Sequence, residues 1–432
     1  MLFVADDTGI GDLSVYNPDS AIPMPNIARL ADEGMRFSDA YSPASVCSPS
    51  RYALLTGRYA WRTRLQVGVL HANDGPLIEP RQPTLPATLR EAGYRTAIVG
   101  KWHLGLHFDG GVRGRIIDGP LQHGFDRYFG LAGNFYPDDL LFFIEDDRAV
   151  DASSLQGARA ANWDSHEIGP ILAERALAFI EDHVRNHAGQ PFFLYYAATA
   201  NHEPFTPPLS LRGQPVRGAS GIGPRGDMLV ENDVVIGELL ARLTELGIAE
   251  QTLFVFTSDN GANVYNNKTH RPNLQLRGRK NRIFEGGLRV PLLVRWPAGG
   301  IPAGGTSAAL LSLVDLYASI AELVGEPLPA AASPDGSSRL EAWFGREAGP
   351  RPDPLVLHQH RFEPKLDGVP DRGPLPFFAI RDGRWKLVVD ERDAPWALFD
   401  LREDPGERQD LRQEQPERVR ALEAKLAEIR GL

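Results

Sequence analysis

Short apolar runs alternate along this chain with stretches whose apolar residues recur every three or four positions. Residues 2–5, 96–99, 192–197 and 253–257 are runs of the first kind, rich in β-branched and aromatic side chains. Their length and continuity predict strands buried on both faces. Between them, residues 24–33 place Ile27, Leu30 and Ala31 on one helical face, and residues 86–92 read as a second helix. Residues 171–183 put Leu172, Ala176, Phe179, Ile180 and His183 on one stripe. Residues 227–246 read as a long helix with Val235, Leu239 and Leu246 among its apolar positions. Strand and helix in alternation predict an α/β fold with a parallel sheet covered on both faces by helices.

The pattern changes near the C-terminus. Residues 345–372 are rich in proline, glycine and charge and read as a connector. Beyond them, runs at 377–381 and 385–389 flank Asp382-Gly383, a hairpin signal. Residues 397–401 form a third short strand, and 416–430 a final helix with Val419, Leu422, Leu426 and Ile429 on one side. The expected division is a catalytic domain over 1–345 and a small α+β subdomain of antiparallel strands and one helix over 346–432. No internal repeat or low-complexity tract interrupts it.

The chain's 432 residues, 42% of them hydrophobic, exceed what a single core usually holds. A net charge of -10 argues against non-specific nucleic-acid binding. It also means that an anionic ligand would need a local basic pocket. A single cysteine rules out an intrachain disulfide and fits a reducing compartment. No apolar run has the length of a membrane span. No signal peptide precedes the first strand, so the chain as given reads as cytoplasmic, and as periplasmic or secreted if residues precede Met1.

In open parallel sheets, ligands bind beyond the carboxyl ends of the strands. Asp6 and Asp7 follow the first predicted strand, and Lys101, Trp102 and His103 follow the second. Asn201, His202 and Glu203 follow the third, and Asp259 and Asn260 the fourth. Asp6, Asp7, Asp259 and Asn260 offer only hard oxygen donors, which suit calcium, and magnesium less well, rather than zinc. Capping of the following segments is the bland reading of each aspartate, but pairs at two strand ends favour a metal. Lys101, His103 and His202 would supply positive charge and proton transfer at the same edge. The basic run Arg277-Gly278-Arg279-Lys280 is then a candidate ligand clamp. His71, His107, His123 and His270 have no such placement.

The sharpest feature is Cys47-Ser48-Pro49-Ser50-Arg51, followed by Leu54-Leu55-Thr56-Gly57-Arg58. A lone cysteine is most often a small buried hydrophobe, and a thiolate at a helix start near Pro49 is the next reading. The whole pattern resembles the type I sulfatases of the alkaline phosphatase superfamily, and most closely their arylsulfatase branch. C-x-P-S-R followed by L-L-T-G-R is that family's activation motif. The likeness extends over Asp6-Asp7, the block 100–105, the block 256–262, residues 280–297 and the segments 381–386 and 399–407, in the family's order. It implies an alkaline-phosphatase-like α/β fold, a large mixed, mostly parallel sheet sandwiched by helices.

The resemblance also implies a mechanism. Cys47 would be oxidised by a separate maturation enzyme to formylglycine, present as its hydrate. One hydroxyl would attack sulfur and form a covalent sulfo-enzyme intermediate. Asp6, Asp7, Asp259 and Asn260 would hold one calcium ion, with Asp259 helping to deprotonate the attacking hydroxyl. Arg51 would stabilise the ionised diol. Lys101, His202 and Lys280 would hold the sulfate oxygens, His202 also protonating the leaving alcohol, and His103 would take the proton from the second hydroxyl as sulfate leaves. The substrate would be an aryl sulfate, another sulfated small molecule or a sulfated carbohydrate.

The nearest rival is a formylglycine-dependent phosphodiesterase or phosphonate monoester hydrolase. From another class comes a non-catalytic sulfoglycan-binding protein in which Cys47 stays a thiol. A cysteine hydrolase, the third rival, predicts that thiol alkylation abolishes activity. Specificity is expected from loops near 135–147, 202–224 and 358–374.

Overall fold

The computed structural model describes residues 1–71, 74–264, 266, 270–359 and 375–432. A ten-stranded sheet forms its centre. In chain order the strands are β1 (Leu2–Ala5), β2 (Met35–Phe37), β3 (Arg95–Lys101), β4 (Arg127–Leu131), β5 (Ile144–Glu145), β6 (Arg148–Ala149), β7 (Phe192–Ala197), β8 (Phe254–Ser258), β9 (Leu292–Arg295) and β10 (Gly305–Ser307). Across the sheet they run β10-β2-β9-β8-β1-β7-β3-β4-β5-β6. The middle strands β8, β1, β7, β3 and β4 are parallel neighbours. β9 is antiparallel to both of its neighbours, and β5 to both of its own. Register aligns Ala5 with Ser258 and Ala197 with Gly100, so the four strands predicted from sequence end along one edge.

Helices cover both faces. Phe3 and Ala5 face a core shared with α1 (Pro25–Asp32), α4 (Ile168–Asn186) and α5 (Pro224–Glu245). Leu2 and Val4 face the other core, with α2 (Cys47–Thr56), α3 (Leu85–Glu91) and α6 (Leu316–Val324). A strand buried on both faces has no polar alternation to show, which is why residues 2–5 read as an unbroken apolar run. Among the described residues, no helix is long and apolar enough to cross a membrane.

The C-terminal sheet is an antiparallel meander of β11 (Leu355–His358), β12 (Pro376–Asp382), β13 (Trp385–Asp390) and β14 (Pro395–Asp400), backed by α7 (Pro416–Arg430). β11 corrects the expected connector at 345–372, of which residues 360–372 lie outside the described residues. Prolines 350, 352 and 354 mask the strand in sequence, but Val356 pairs with Ile380 in the ladder. This sheet shares a core with α2, the segment after it and the turn before α6, where Ala53, Tyr59, Trp61 and Val314 meet Val356, Ile380 and Leu387. It is also fastened by a buried charge: Lys386 Nζ lies 3.0 Å from Glu285 and 2.8 Å from Glu407.

Candidate active site

The parallel ladder continues past the strand ends and fixes the turns that follow. Asp6 donates its amide to Ala200 O, Asn201 donates to Asp6 O, and Asp259 donates to Ala5 O. The side chains of Asp6, Asp7, Asn201, Asp259 and Asn260 are thereby held at one edge, all at most 1% exposed. At the end of β3, Gly100 has φ +118° and a Cβ there would lie 1.9 Å from Ala197 O. Only glycine allows this approach, which sets Lys101 beside the β1 turn. Trp102 clips the next turn by donating from Nε1 to Gly105 O at 2.8 Å.

Cys47 opens α2, following Val46 in extended conformation. The helix start is pinned by Ser50 Oγ, which donates to Val46 O at 2.7 Å and meets Ser42 Oγ at 2.6 Å. Its end is set by Gly57 at φ 62°, where a Cβ would strike Ser333. Thr56 and Arg58 tie down that end: Arg58 bonds Tyr52 Oη and Arg62 O and stays away from the carboxylates. The two halves of the motif thus divide the work, the first facing the site and the second shaping the helix that presents it.

The carboxylates and cations interlock. Asp6 receives Lys101 Nζ at 2.6 Å and Arg51 at 3.2 Å. Arg51 forks onto Asp259 Oδ2 from Nε at 3.0 Å and from its terminal nitrogen at 2.7 Å. Asp7 receives Lys280 Nζ at 2.7 Å and Asn260 Nδ2 at 2.8 Å. Asp7 donates its own amide to Asp259 Oδ1 at 3.2 Å. Cys47 Sγ lies 3.6 Å from Asp6 Oδ1, and His202 Nε2 4.0 Å from Asp7. His202 is oriented by Nδ1, which donates to Glu203 O at 2.6 Å and leaves Nε2 toward the site.

Burial pushes the Asp6 carboxyl up, but Lys101, His202 and Arg51 together pull it well below the usual carboxylate range. Burial dominates at Asp7 and Asp259 and raises both. At Lys280 burial opposes the charge, but Asp7 holds it far above the ordinary lysine value. Burial, then Lys280 and Lys101, drive His202 down; burial, then Lys101 and Arg51, do the same to His103. Burial and then Asp6 push the Cys47 thiol far up, so the unmodified side chain is not a poised thiolate. At 1% exposure it would also resist an alkylating reagent, so that reagent does not separate a thiol enzyme from a modified one.

A hard cation fits this set. One oxygen from each of Asp6, Asp7 and Asp259 lies with Cys47 Sγ within 4.8 Å of one another. Asn260 Oδ1 is buried without a hydrogen-bond partner, a costly state unless a cation takes the oxygen. His103 is buried at 1% with both ring nitrogens unpartnered and φ 60°. Its fixed, unused nitrogens suit proton transfer to a bound group.

All the residues singled out in sequence meet at this edge, but the expected clamp over 277–280 contracts to Lys280. Arg277 lies over the Phe284 ring and donates to Glu407 O, and Arg279 donates to Asn263 O. Sequence reasoning missed Asp12 and Arg225, which pair through two bonds of 2.8 and 2.7 Å directly behind the site. Arg225 also donates to Asp7 O at 3.4 Å. His270, read as bland, lies 2.6 Å from Asp12 Oδ1. No local pattern marks these residues, because they meet only through the fold. Of the expected specificity loops, residues 360–374 lie outside the described residues, while Phe135 and Tyr136 sit against His202.

Comparison with known proteins identifies the family and the fold. The family profile described as Sulfatase matches residues 1–326, and that described as N-sulphoglucosamine sulphohydrolase, C-terminal, matches residues 279–431. The chain is 30% identical to an N-acetylgalactosamine-6-O-sulfatase of Bacteroides thetaiotaomicron, over 99% of this chain and 92% of that one. It is 34% identical to Arylsulfatase A of Bos taurus, over 95% and 82%. A structure solved in work on glycosaminoglycan metabolism by Bacteroides thetaiotaomicron superposes with a TM-score of 0.84 at 29% identity, covering 100% of this chain and 99% of that one. The phosphonate monoester hydrolase of Agrobacterium radiobacter shares the fold, with a TM-score of 0.66 at 18% identity over 100% and 95% of the two chains.

Proposed function

Since this chain belongs to the sulfatase family and is a sulfuric ester hydrolase, we propose that it removes sulfate from a carbohydrate, using residue 47 as nucleophile and one calcium ion. The observation that carries this reading is the meeting of Cys47 Sγ with Asp6, Asp7 and Asp259 at a buried edge beside Arg51, Lys101, His202 and Lys280. The relatives named for N-acetylgalactosamine-6-sulfate make a 6-O-sulfated hexosamine the first substrate to test.

Asp6, Asp7, Asp259 and Asn260 would hold the calcium ion, which supplies Lewis-acid charge beside a sulfate oxygen. Conversion of Cys47 to formylglycine by a maturation enzyme would supply a hydrated aldehyde: one hydroxyl as nucleophile, the other as the means of releasing sulfate by elimination. The chain's own residues do the rest. Arg51 stabilises negative charge at residue 47, and Asp259, close to residue 47, takes the proton of the attacking hydroxyl. Lys101 and Lys280 bind the sulfate oxygens and offset repulsion between an anionic ester and an oxyanion. His202 would take up a proton on Nε2 as the anionic ester binds, and from that imidazolium, with Nδ1–H held by Glu203 O, gives the Nε2 proton to the departing alcohol oxygen. His103 takes the proton of the second hydroxyl.

The test is the mass of the peptide carrying residue 47, from protein produced beside a maturation enzyme, together with turnover of 6-O-sulfated N-acetylgalactosamine. An aldehyde at 47 and calcium-dependent release of sulfate are expected. An intact thiol in protein that still releases sulfate would refute the nucleophile; an intact thiol with sugar binding but no turnover would favour the binding-protein reading.

A further inference from the structure

The segment after β4 wraps over both site histidines. A Cβ at Gly133 would lie 3.2 Å from the His103 ring. The Phe135 ring lies 6.3 Å from that of His202, and the Tyr136 ring stands edge-on to it at 5.5 Å and 65°. The two aromatics differ in exposure, 3% for Phe135 and 39% for Tyr136. Phe135 therefore props the segment, while Tyr136, more exposed and beside the His202 ring, is open to a ligand there. The platform is held in place: Tyr136 donates its amide to Asp139 Oδ2 at 2.9 Å, and Asp139 donates its own to Tyr136 O at 2.9 Å. Partial burial pushes the Tyr136 hydroxyl up to about 12, with Lys280 drawing it down and Glu203, Asp7 and Asp6 adding to the rise.

Glu203 follows His202 and is exposed, with no ion-pair partner among the described residues. A carboxylate at this mouth accepts hydrogen bonds and offers none. It suits sugar hydroxyls and repels a second anionic group. A pyranose presents a face of weakly positive C–H groups, which matches the negative face of a phenol ring.

We propose that Tyr136 is the platform on which the sulfated pyranose ring stacks, and that Glu203 selects a ring bearing one sulfate and no other anionic group. This deepens, and rests on, the sulfatase reading above. The substrate class is then a singly sulfated, otherwise uncharged hexose or N-acetylhexosamine, in preference to a uronate or a disulfated sugar.

The experiment compares converted, calcium-loaded wild-type protein with Y136A, Y136F and E203Q. The substrates are 6-O-sulfated N-acetylgalactosamine and its 4,6-disulfated form, and free sulfate is the inhibitor. Y136A is expected to raise KM about ten-fold with little change in kcat, a loss of about 1.4 kcal/mol of binding. Y136F should restore the affinity, because the ring face is kept. Inhibition by free sulfate should be the same in Y136A as in wild type. E203Q should shift the kcat/KM ratio several-fold toward the disulfated sugar. An unchanged KM in Y136A, an equal loss in Y136F, or an unmoved ratio in E203Q would overturn the assignment. Turnover of aryl sulfates without any sulfated pyranose would sink this inference alone. No turnover of any sulfate ester would sink the reading beneath it as well.

Discussion

At the scale of single residues, the site is a set of buried charges that exist only in each other's company. Arg51, 1% exposed, neutralises Asp259 and Asp6. Arg51→Ala strands Asp259 and leaves Asp6 with Lys101 alone, and breaking such a buried pair costs about 3–5 kcal/mol. Thermal or urea unfolding should show that loss along with the loss of turnover; Arg51→Lys should recover more of the stability than of the rate, because a lysine cannot fork onto Asp259. The proton roles of the two histidines separate kinetically. His103→Ala should leave a rapid release of about one equivalent of alcohol per enzyme and then a slow steady state, whereas His202→Ala should slow the first release itself. Stopped-flow release of a chromogenic phenol distinguishes them. The aspartates and histidines were legible in sequence because each follows a strand that ends at the same edge, and Arg51 because it closes the motif that begins at Cys47. Arg225 and Asp12 were not, since an ion pair between residues so far apart leaves no local pattern. Tyr136 was named only as the neighbourhood of a loop, because its exposure depends on how that loop turns.

At the scale of elements, β1, β3, β7 and β8 were legible as short apolar runs, and α1, α4 and α5 as periodic stripes. The antiparallel β9 and the late β11 were not. A run such as Leu292–Arg295 between prolines carries no sign of its direction, which is decided by pairing with β8 and β2. Two elements carry testable charges. On α5, Glu231 is buried against α4 at Gly169, and burial raises it from 4.5 to about 8. Its folded value exceeds its unfolded one. The neutral form that suits the fold is therefore fully present below about 4.5, and stability is lost as pH rises toward 8. Glu231→Gln should melt higher than wild type above pH 8 and alike below pH 4.5, as calorimetry across pH would show. In the C-terminal sheet, Lys386→Met leaves Glu285 and Glu407 buried together without their cation. A loss of about 3–5 kcal/mol in urea unfolding is expected, with much of it recovered when both glutamates are replaced by glutamine.

At the scale of the whole molecule, the charge of -10 makes the basic pocket a local exception that the fold must build from four strand ends. We place the division of the chain at 345/346, but the C-terminal sheet shares a core and a buried charge with the larger part. A chain ending at 345 should therefore be recovered unfolded or aggregated rather than as an active core, as gel filtration and circular dichroism would reveal. The account's central claim is that calcium and a converted residue 47 are aimed at sulfur. The most direct measurement is kcat/KM for an aryl sulfate and an aryl phosphodiester with the same leaving group, on calcium-loaded protein whose residue 47 has been verified as the aldehyde, before and after chelation. The account predicts faster turnover of the sulfate and its loss on chelation with recovery on added calcium. Equal or faster turnover of the phosphodiester, or sulfate turnover indifferent to the chelator, would contradict it.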